Sequence, residues 1–275
     1  MKIDAHQHFW HFDPVRDAWI TEGSMSVIRR DFLPSDLQAI LQQNGIDGCV
    51  AVQADQSETE THFLLDLASQ NAFIKAVVGW VDLKADNLAE RLDYFSQHPK
   101  LKGFRHILQG EKPEFMLDPR FTEGVRLLDK KGFTYDILVF PKHLKAVKTF
   151  LQKMGNQPFV IDHLAKPYIQ KGLIKEWAKD MKAIAKHENV MCKISGMVTE
   201  ADWQNWKEAD FTPYIDVVFE AFGTDRVMYG SDWPVCLVAA TYEKQLSIVK
   251  NYISKLPDTE GRKIMGGNAA RFYKI

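Results

Sequence analysis

The sequence predicts a single (β/α)8 barrel, and three observations carry that expectation. Eight short β-rich segments alternate with helical segments along the whole chain. The strand segments are continuously apolar until their C-terminal ends, as strands are when both faces of a parallel sheet are covered. The chain of 275 residues suits one closed barrel of roughly 250 residues, and no linker, low-complexity tract or composition shift divides it. One domain over residues 1–275 is expected.

In chain order the strand segments are KIDAHQHF from Lys2, DGCVAVQA from Asp47, AVVGWVDL from Ala76 and LKGFRHIL from Leu101. FTYDILVF from Phe133, PFVIDHLA from Pro158, VMCKISGM from Val190 and RVMYGSDW from Arg226 complete the set. Helical patterns begin near Ser35, Glu58, Asp86, Asp118, Pro141, Ile174, Pro213 and Tyr242. The clearest covers residues 141–155, where Leu144, Val147, Leu151 and Met154 share one face. Pro141 fits a first turn, where its missing N–H costs nothing, and Gly155 fits a stop. Gly45 and Gly132 supply further helix ends directly before strands. An open doubly wound sheet competes poorly, because no G-x-G-x-x-G or phosphate loop follows any strand.

Composition narrows the partners. Thirty-five Lys and Arg against 36 Asp and Glu give a formal charge of −1, which leaves no electrostatic footprint for nucleic acid. Mean hydropathy is −0.27, and no uncharged run approaches the ~18–20 apolar residues of a membrane helix. The N-terminus, MKIDAHQHFW, carries charge and histidine where a signal peptide would be apolar, so a cytoplasmic protein without a membrane partner is expected. Cys49, Cys192 and Cys236 are far apart and odd in number, which argues for buried structural thiols rather than disulfides or a thiolate zinc site.

In such barrels the chemistry gathers at the C-terminal ends of the strands. Those ends offer His6 and His8, then Gln53, then Trp80 and Asp82, then Arg105 and His106. They continue with Tyr135 and Asp136, Asp162 and His163, Lys193 and Ser195, and finally Asp232 and Trp233. Burying so many ionisable groups without pairing or solvent is expensive, so a catalytic or binding cavity accounts for them better than packing. His6 and His8, two apart in an extended strand, share a face and can ligate a metal or donate to a substrate oxygen. Asp232 lies in YGSDWP, where Gly230 permits a sharp turn and the carboxylate can act as general base toward water. Arg105 and Lys193 suit carboxylate or polyol oxygens, with a structural ion pair as the alternative for each. Trp80 and Trp233 suit the walls of a sugar or aromatic site, or plain core packing. His11, His62, His98, His143 and His187 fall in helices or loops and read as solvated surface residues.

Together these residues resemble the amidohydrolase superfamily, in its amidohydrolase 2 branch. The resemblance rests on DAHQHFW at 4–10, GFRH at 103–106, DHLAKP at 162–167, KISG at 193–196, YGSDWP at 229–234 and GNAARFY at 267–273, and covers nearly the whole chain. Within the branch the chain is most similar to sugar lactonases of the L-fuconolactonase and L-rhamnonolactonase type, with pyrone-dicarboxylate lactonases as further relatives. The resemblance implies that His6, His8, His163 and Asp232 are site residues and that Arg105 contacts substrate. Strand four carries no lysine placed as a carbamylated metal bridge, and strand five ends without a histidine. A binuclear site is therefore not expected. One divalent cation, zinc above others, held by His6, His8 and Asp232, or no required metal at all, is.

The expected activity is hydrolysis of a sugar lactone to its aldonic acid, with Asp232 as base and the three histidines stabilising the oxyanion. Arg105, Gln53 and Lys193 would read ring hydroxyls or a carboxylate, beside Trp80 and Trp233. A metal-dependent decarboxylase of an aromatic or muconate-type acid is the first alternative. A non-catalytic carbohydrate-binding barrel is the second.

Overall fold

Strands that lack a polar face need cover on both sides, and the chain supplies it by returning through a helix after every strand. In the computed structural model, which describes residues 1–275, β1 (Ile3–Gln7), β2 (Gly48–Val52), β3 (Ile74–Gly79) and β4 (Leu101–His106) lie side by side. They continue into β5 (Thr134–Ile137), β6 (Phe159–Ile161), β7 (Val190–Ile194) and β8 (Val227–Tyr229), each neighbour parallel. The ring closes between β8 and β1, where the His8 N–H donates to the Trp233 carbonyl at 2.7 Å and the Asp232 N–H to the His6 carbonyl at 2.8 Å. Residues of the polar cluster thus form the seam of the barrel.

The returning helices are α1 (Pro34–Asn44), α2 (Glu58–Gln70), α3 (Leu88–Phe95), α4 (Pro119–Lys130), α5 (Leu144–Met154), α6 (Lys175–Ile184), α7 (Glu208–Phe222) and α8 (Tyr242–Ile253). Two short ones follow, α9 (Asp258–Arg262) and α10 (Asn268–Tyr273). Their ends follow local chemistry: Ser57 and Thr241 cap α2 and α8, while Gly45 leaves α1 in a left-handed conformation. Between strands and helices lies a thick apolar layer that includes Phe95, Phe104, Phe121, Phe150 and Phe159.

Three expectations are corrected. Helix α7 starts at Glu208 rather than near Pro213, because Asp210 accepts the Lys207 N–H at 2.8 Å and starts the turn upstream. Pro213 is then carried inside, at the loss of one ladder bond. The sixth strand stops at Ile161, and residues 162–165 leave it in a tight turn. His143 is buried rather than solvated, with Nε2 donating to the Glu111 carbonyl at 3.0 Å and Nδ1 accepting the Phe140 N–H at 3.1 Å.

One irregularity positions the site. Ala5 packs inside the barrel with Val50 and Val52, so strict alternation would turn His6 outward. The β1–β2 register shifts between Asp4 and Gln7, and this bulge brings His6 back to the axis beside His8. Asp4 points outward instead, accepting from the Ser231 N–H at 2.8 Å and from the Tyr242 hydroxyl at 3.1 Å.

Candidate active site

His6, His8 and Asp232 bring one nitrogen or oxygen apiece within 4.8 Å of one another at the C-terminal mouth of the barrel. The two Nε2 atoms stand 3.3 Å apart, and Asp232 Oδ1 lies 3.4 Å from that of His8 and 4.0 Å from that of His6. Because a carbonyl only accepts, His8 Nδ1 donates to that of Val52 at 2.7 Å and leaves Nε2 free to face the mouth as a lone pair. His163 Nε2 reaches the same Oδ1 at 3.7 Å. Its Nδ1 lies 2.8 Å from Ser195 Oγ, and with the hydroxyl donating there the ring carries its proton on Nε2, toward the carboxylate.

Glycines make room for this crowding. A Cβ on Gly230 would meet His6 Cβ at 2.7 Å, and one on Gly196 would meet His163 Nδ1 at 2.6 Å and Asp232 Oδ2 at 3.0 Å. Asp232 itself sits at φ 58°, a left-handed conformation costly for most side chains but tolerated by Asp and Asn. Residues His163, Leu164, Ala165 and Lys166 are all left-handed, with φ from 50° to 58° and no glycine among them. The Trp177 indole N–H holds this turn by donating to the Leu164 carbonyl at 2.8 Å.

Burial sets the protonation states. It drives His6 well below the usual histidine range, aided by Lys193 and Arg105 and opposed by Asp162. Burial does the same to His163, against the pull of Asp232. For Asp232 burial pushes upward, but the neighbouring His163, His8 and Lys166 outweigh it and hold the carboxyl below its ordinary value. The site at neutral pH is a carboxylate facing uncharged His6 and His163.

A buried ionic layer lies behind this face. Lys193 Nζ reaches Asp136 at 2.6 Å, Asp162 at 3.0 Å and His6 Nδ1 at 3.2 Å. Arg105 Nη1 contacts Asp162 at 3.0 Å and His6 Nε2 at 3.2 Å, and its Nη2 donates to the Gln53 carbonyl. Two cations thus meet two carboxylates. Burial raises Asp162, but Lys193, His6 and Arg105 together hold it well below the carboxylate range. Asp136 is pushed up to about 6 by burial, with Lys193 opposing and the neighbouring Asp162 charge adding to the rise.

In front of the site opens a cavity of about 240 Å³, which His8, His163, Asp232 and Arg105 line. The other expected residues stand elsewhere. His6 is fully buried behind His8, and Lys193 and Gln53 are fully buried too, with Gln53 Nε2 donating to the Arg105 carbonyl at 3.1 Å. Trp233 packs in the core, edge-on to Phe32 at 5.2 Å, and the half-buried Trp80 points its indole N–H at His106. The aromatic walls are instead Trp10 and Trp19, which meet edge to face at 6.2 Å. Sequence reading missed both walls, and it missed Lys166, the cavity's second cation. Trp10 and Lys166 sit inside the DAHQHFW and DHLAKP motifs, whereas Trp19 comes from the long segment between β1 and α1, which has no motif.

The donor set fits one divalent ion. Two imidazole nitrogens and a carboxylate oxygen converge, and three protein ligands with an open fourth position are what a catalytic zinc site uses. His6 also belongs to a second possible set with Asp162 and His163, so the two sets compete for one residue.

A family model described as amidohydrolase matches residues 3–275. An L-fucono-1,5-lactonase from Burkholderia multivorans is 39% identical over 100% of this chain and 96% of its own. A second L-fucono-1,5-lactonase, from Burkholderia ambifaria, is 36% identical over 100% of this chain and 96% of its own. The crystal structure of an amidohydrolase from Burkholderia multivorans with bound Zn superposes with a TM-score of 0.96 at 39% identity, covering 100% of this chain and 99% of that one. No helix of this chain is long and apolar enough to cross a membrane.

Proposed function

The chain belongs to the amidohydrolase family, and we propose that it hydrolyses a sugar lactone, of the L-fucono-1,5-lactone kind, to its aldonic acid. The observation that carries this reading is the Asp232 carboxylate, held ionised on the wall of a small cavity with uncharged imidazoles on one side. Its Oδ1 faces His8 and His163, while Oδ2 lies toward Gly196, where no side chain blocks it.

Asp232 takes a proton from water as the water oxygen bonds to the lactone carbonyl carbon. The His163 Nε2–H donates to the carbonyl oxygen as charge develops there, and Arg105 adds a fixed positive field. Trp10, Trp19 and Leu138 cover the C–H face of the sugar ring and keep bulk water out. His6, His8 and Asp232 would hold a divalent cation, which when bound supplies Lewis-acid polarisation of the carbonyl.

A pH-indicator screen of aldonolactones, with and without chelator, tests the reading, paired with elemental analysis of the purified protein. Acid release from a 1,5-lactone, at most one metal ion per chain, and turnover that persists after chelation are expected. Absence of acid release from every lactone contradicts the activity. Two tight ions, or activity lost on stripping and restored by zinc, contradict the metal assignment.

A further inference from the structure

We propose that Lys166 is a further catalytic residue, the acid that protonates the ring oxygen as the lactone opens. This rests on the lactonase reading and extends it to the leaving group, which Asp232 does not serve. When the acyl C–O bond breaks, the ring oxygen departs with the electron pair as an alkoxide, a poor leaving group unless a proton meets it.

Lys166 lines the same cavity as Asp232, and the cavity is small enough that one bound lactone meets both. It gets there by an unusual backbone. Three residues after His163, at the end of the left-handed run, it stands at φ 50° with Pro167 following. The turn aims His163 and Lys166 at one space, in a strained conformation of the kind that clusters at functional sites. The ammonium is 14% exposed and donates to Glu200, itself 15% exposed, at 3.1 Å. One of its three N–H bonds is therefore engaged, and the others are free for substrate.

The remaining groups at the cavity do not fill the role. Arg105 does not release its protons, and both its terminal nitrogens are committed to Asp162, His6 and Gln53. His8 spends its Nδ1–H on the Val52 carbonyl and turns Nε2 toward Asp232. His163 is already engaged, with Nδ1 held by Ser195 at 2.8 Å and Nε2 turned to Asp232 and the carbonyl oxygen.

The step balances. The water oxygen bonds to the carbonyl carbon while one water proton passes to Asp232. The acyl C–O bond then breaks, and Lys166 gives its proton to the departing oxygen, which becomes a hydroxyl. The new carboxylic acid returns a proton to the Lys166 amine, and Asp232 loses its own to solvent. Lactone and water have become aldonate and one proton.

The test compares Lys166→Met and Lys166→Arg on the best aldonolactone and on dihydrocoumarin, a lactone whose leaving group is a phenolate that departs without a proton. Both variants are expected to lose ~10²-fold or more in kcat on the sugar lactone, and less than ~10-fold on dihydrocoumarin. Arginine keeps the charge and the Glu200 partner, which guards the fold, but holds its proton. Wild-type kcat in Lys166→Arg overturns the proposal, since charge alone would then suffice. Equal losses on both substrates with a lowered melting temperature overturn it too, in favour of a structural role. Wild-type protein that releases no acid from any aldonolactone removes the lactonase reading itself, whereas wild-type turnover with unaffected variants removes only the role of Lys166.

Discussion

At its N-terminal end the barrel interior is filled by Ile3, Ala5, Val50, Val52, Ala76, Val78, Val160, Met191 and Met228, sealed from below by Phe272 and Tyr273 of α10. One step beyond Val160 and Met191 the inward positions are Asp162 and Lys193, and Arg105 of β4 and Asp136 of β5 stand beside them. Both regions are fully desolvated, but they are held by different physics. The apolar end gains from every buried methylene, and a defect there costs only the local cavity. The ionic end has given up hydration for its charges and is stable only while each keeps its partner. Tyr273 joins the two, its ring in the apolar plug and its hydroxyl donating to Asp136 at 2.7 Å.

Breaking the ionic end should therefore cost most. Lys193→Met removes the cation shared by Asp136 and Asp162 and is expected to destabilise by about 3–5 kcal/mol in urea unfolding. A loss under about 1 kcal/mol would mean that the two carboxylates do not depend on it. Met228→Ala at the apolar end should cost roughly 2–3 kcal/mol of stability while kcat stays within about threefold of wild type. If catalysis falls with it, the two ends are not separable. Tyr273→Phe keeps the ring and deletes only the bond to Asp136, so a smaller loss of about 1.5–2 kcal/mol is expected. An unchanged unfolding midpoint would show that the bond contributes nothing.

Glu60, outside both regions, gives the smallest effect and a pH dependence of known sign. It is 5% exposed, accepts from the Ala54 N–H at 3.0 Å, and burial pushes its carboxyl up to about 7. The folded protein therefore holds a proton that the unfolded chain releases above 4.5, and stability drains away as pH rises from there to about 7. Glu60→Gln should be more stable than wild type by about 1–2 kcal/mol near pH 8, with the advantage gone near pH 4. Melting curves at the two pH values decide it, and an advantage that grows toward acid would reverse the sign.

The fold was legible because double-covered strands run largely apolar on both faces, as β2 does, although Asp4 in β1 and Lys102 in β4 interrupt the pattern. The site was legible where polar residues interrupt those runs at their C-terminal ends. Direction and burial were harder to read. That His6 and His8 share a face was expected from alternation, but the shared face is the inner one only because β1 bulges between Asp4 and Gln7. Nothing in the sequence distinguishes Lys193, which is spent on two buried carboxylates, from Lys166, which faces the cavity. The left-handed run at 163–166 carries no glycine or asparagine to announce it, and the Trp19 wall depends on how a long connection folds back. Those features are tertiary, and local propensity does not encode them.

The most direct measurement is turnover of Asp232→Asn on the best aldonolactone, set beside its melting temperature. Asparagine tolerates the left-handed φ of 58° at this position, so the fold and the barrel seam should survive the change. The carboxylate proposed to take the proton from water is gone, and kcat should fall ~10²–10⁴-fold with the melting temperature unchanged. Turnover within a few-fold of wild type, in a variant that melts normally, would contradict Asp232 as the base and with it the chemistry assigned to this site.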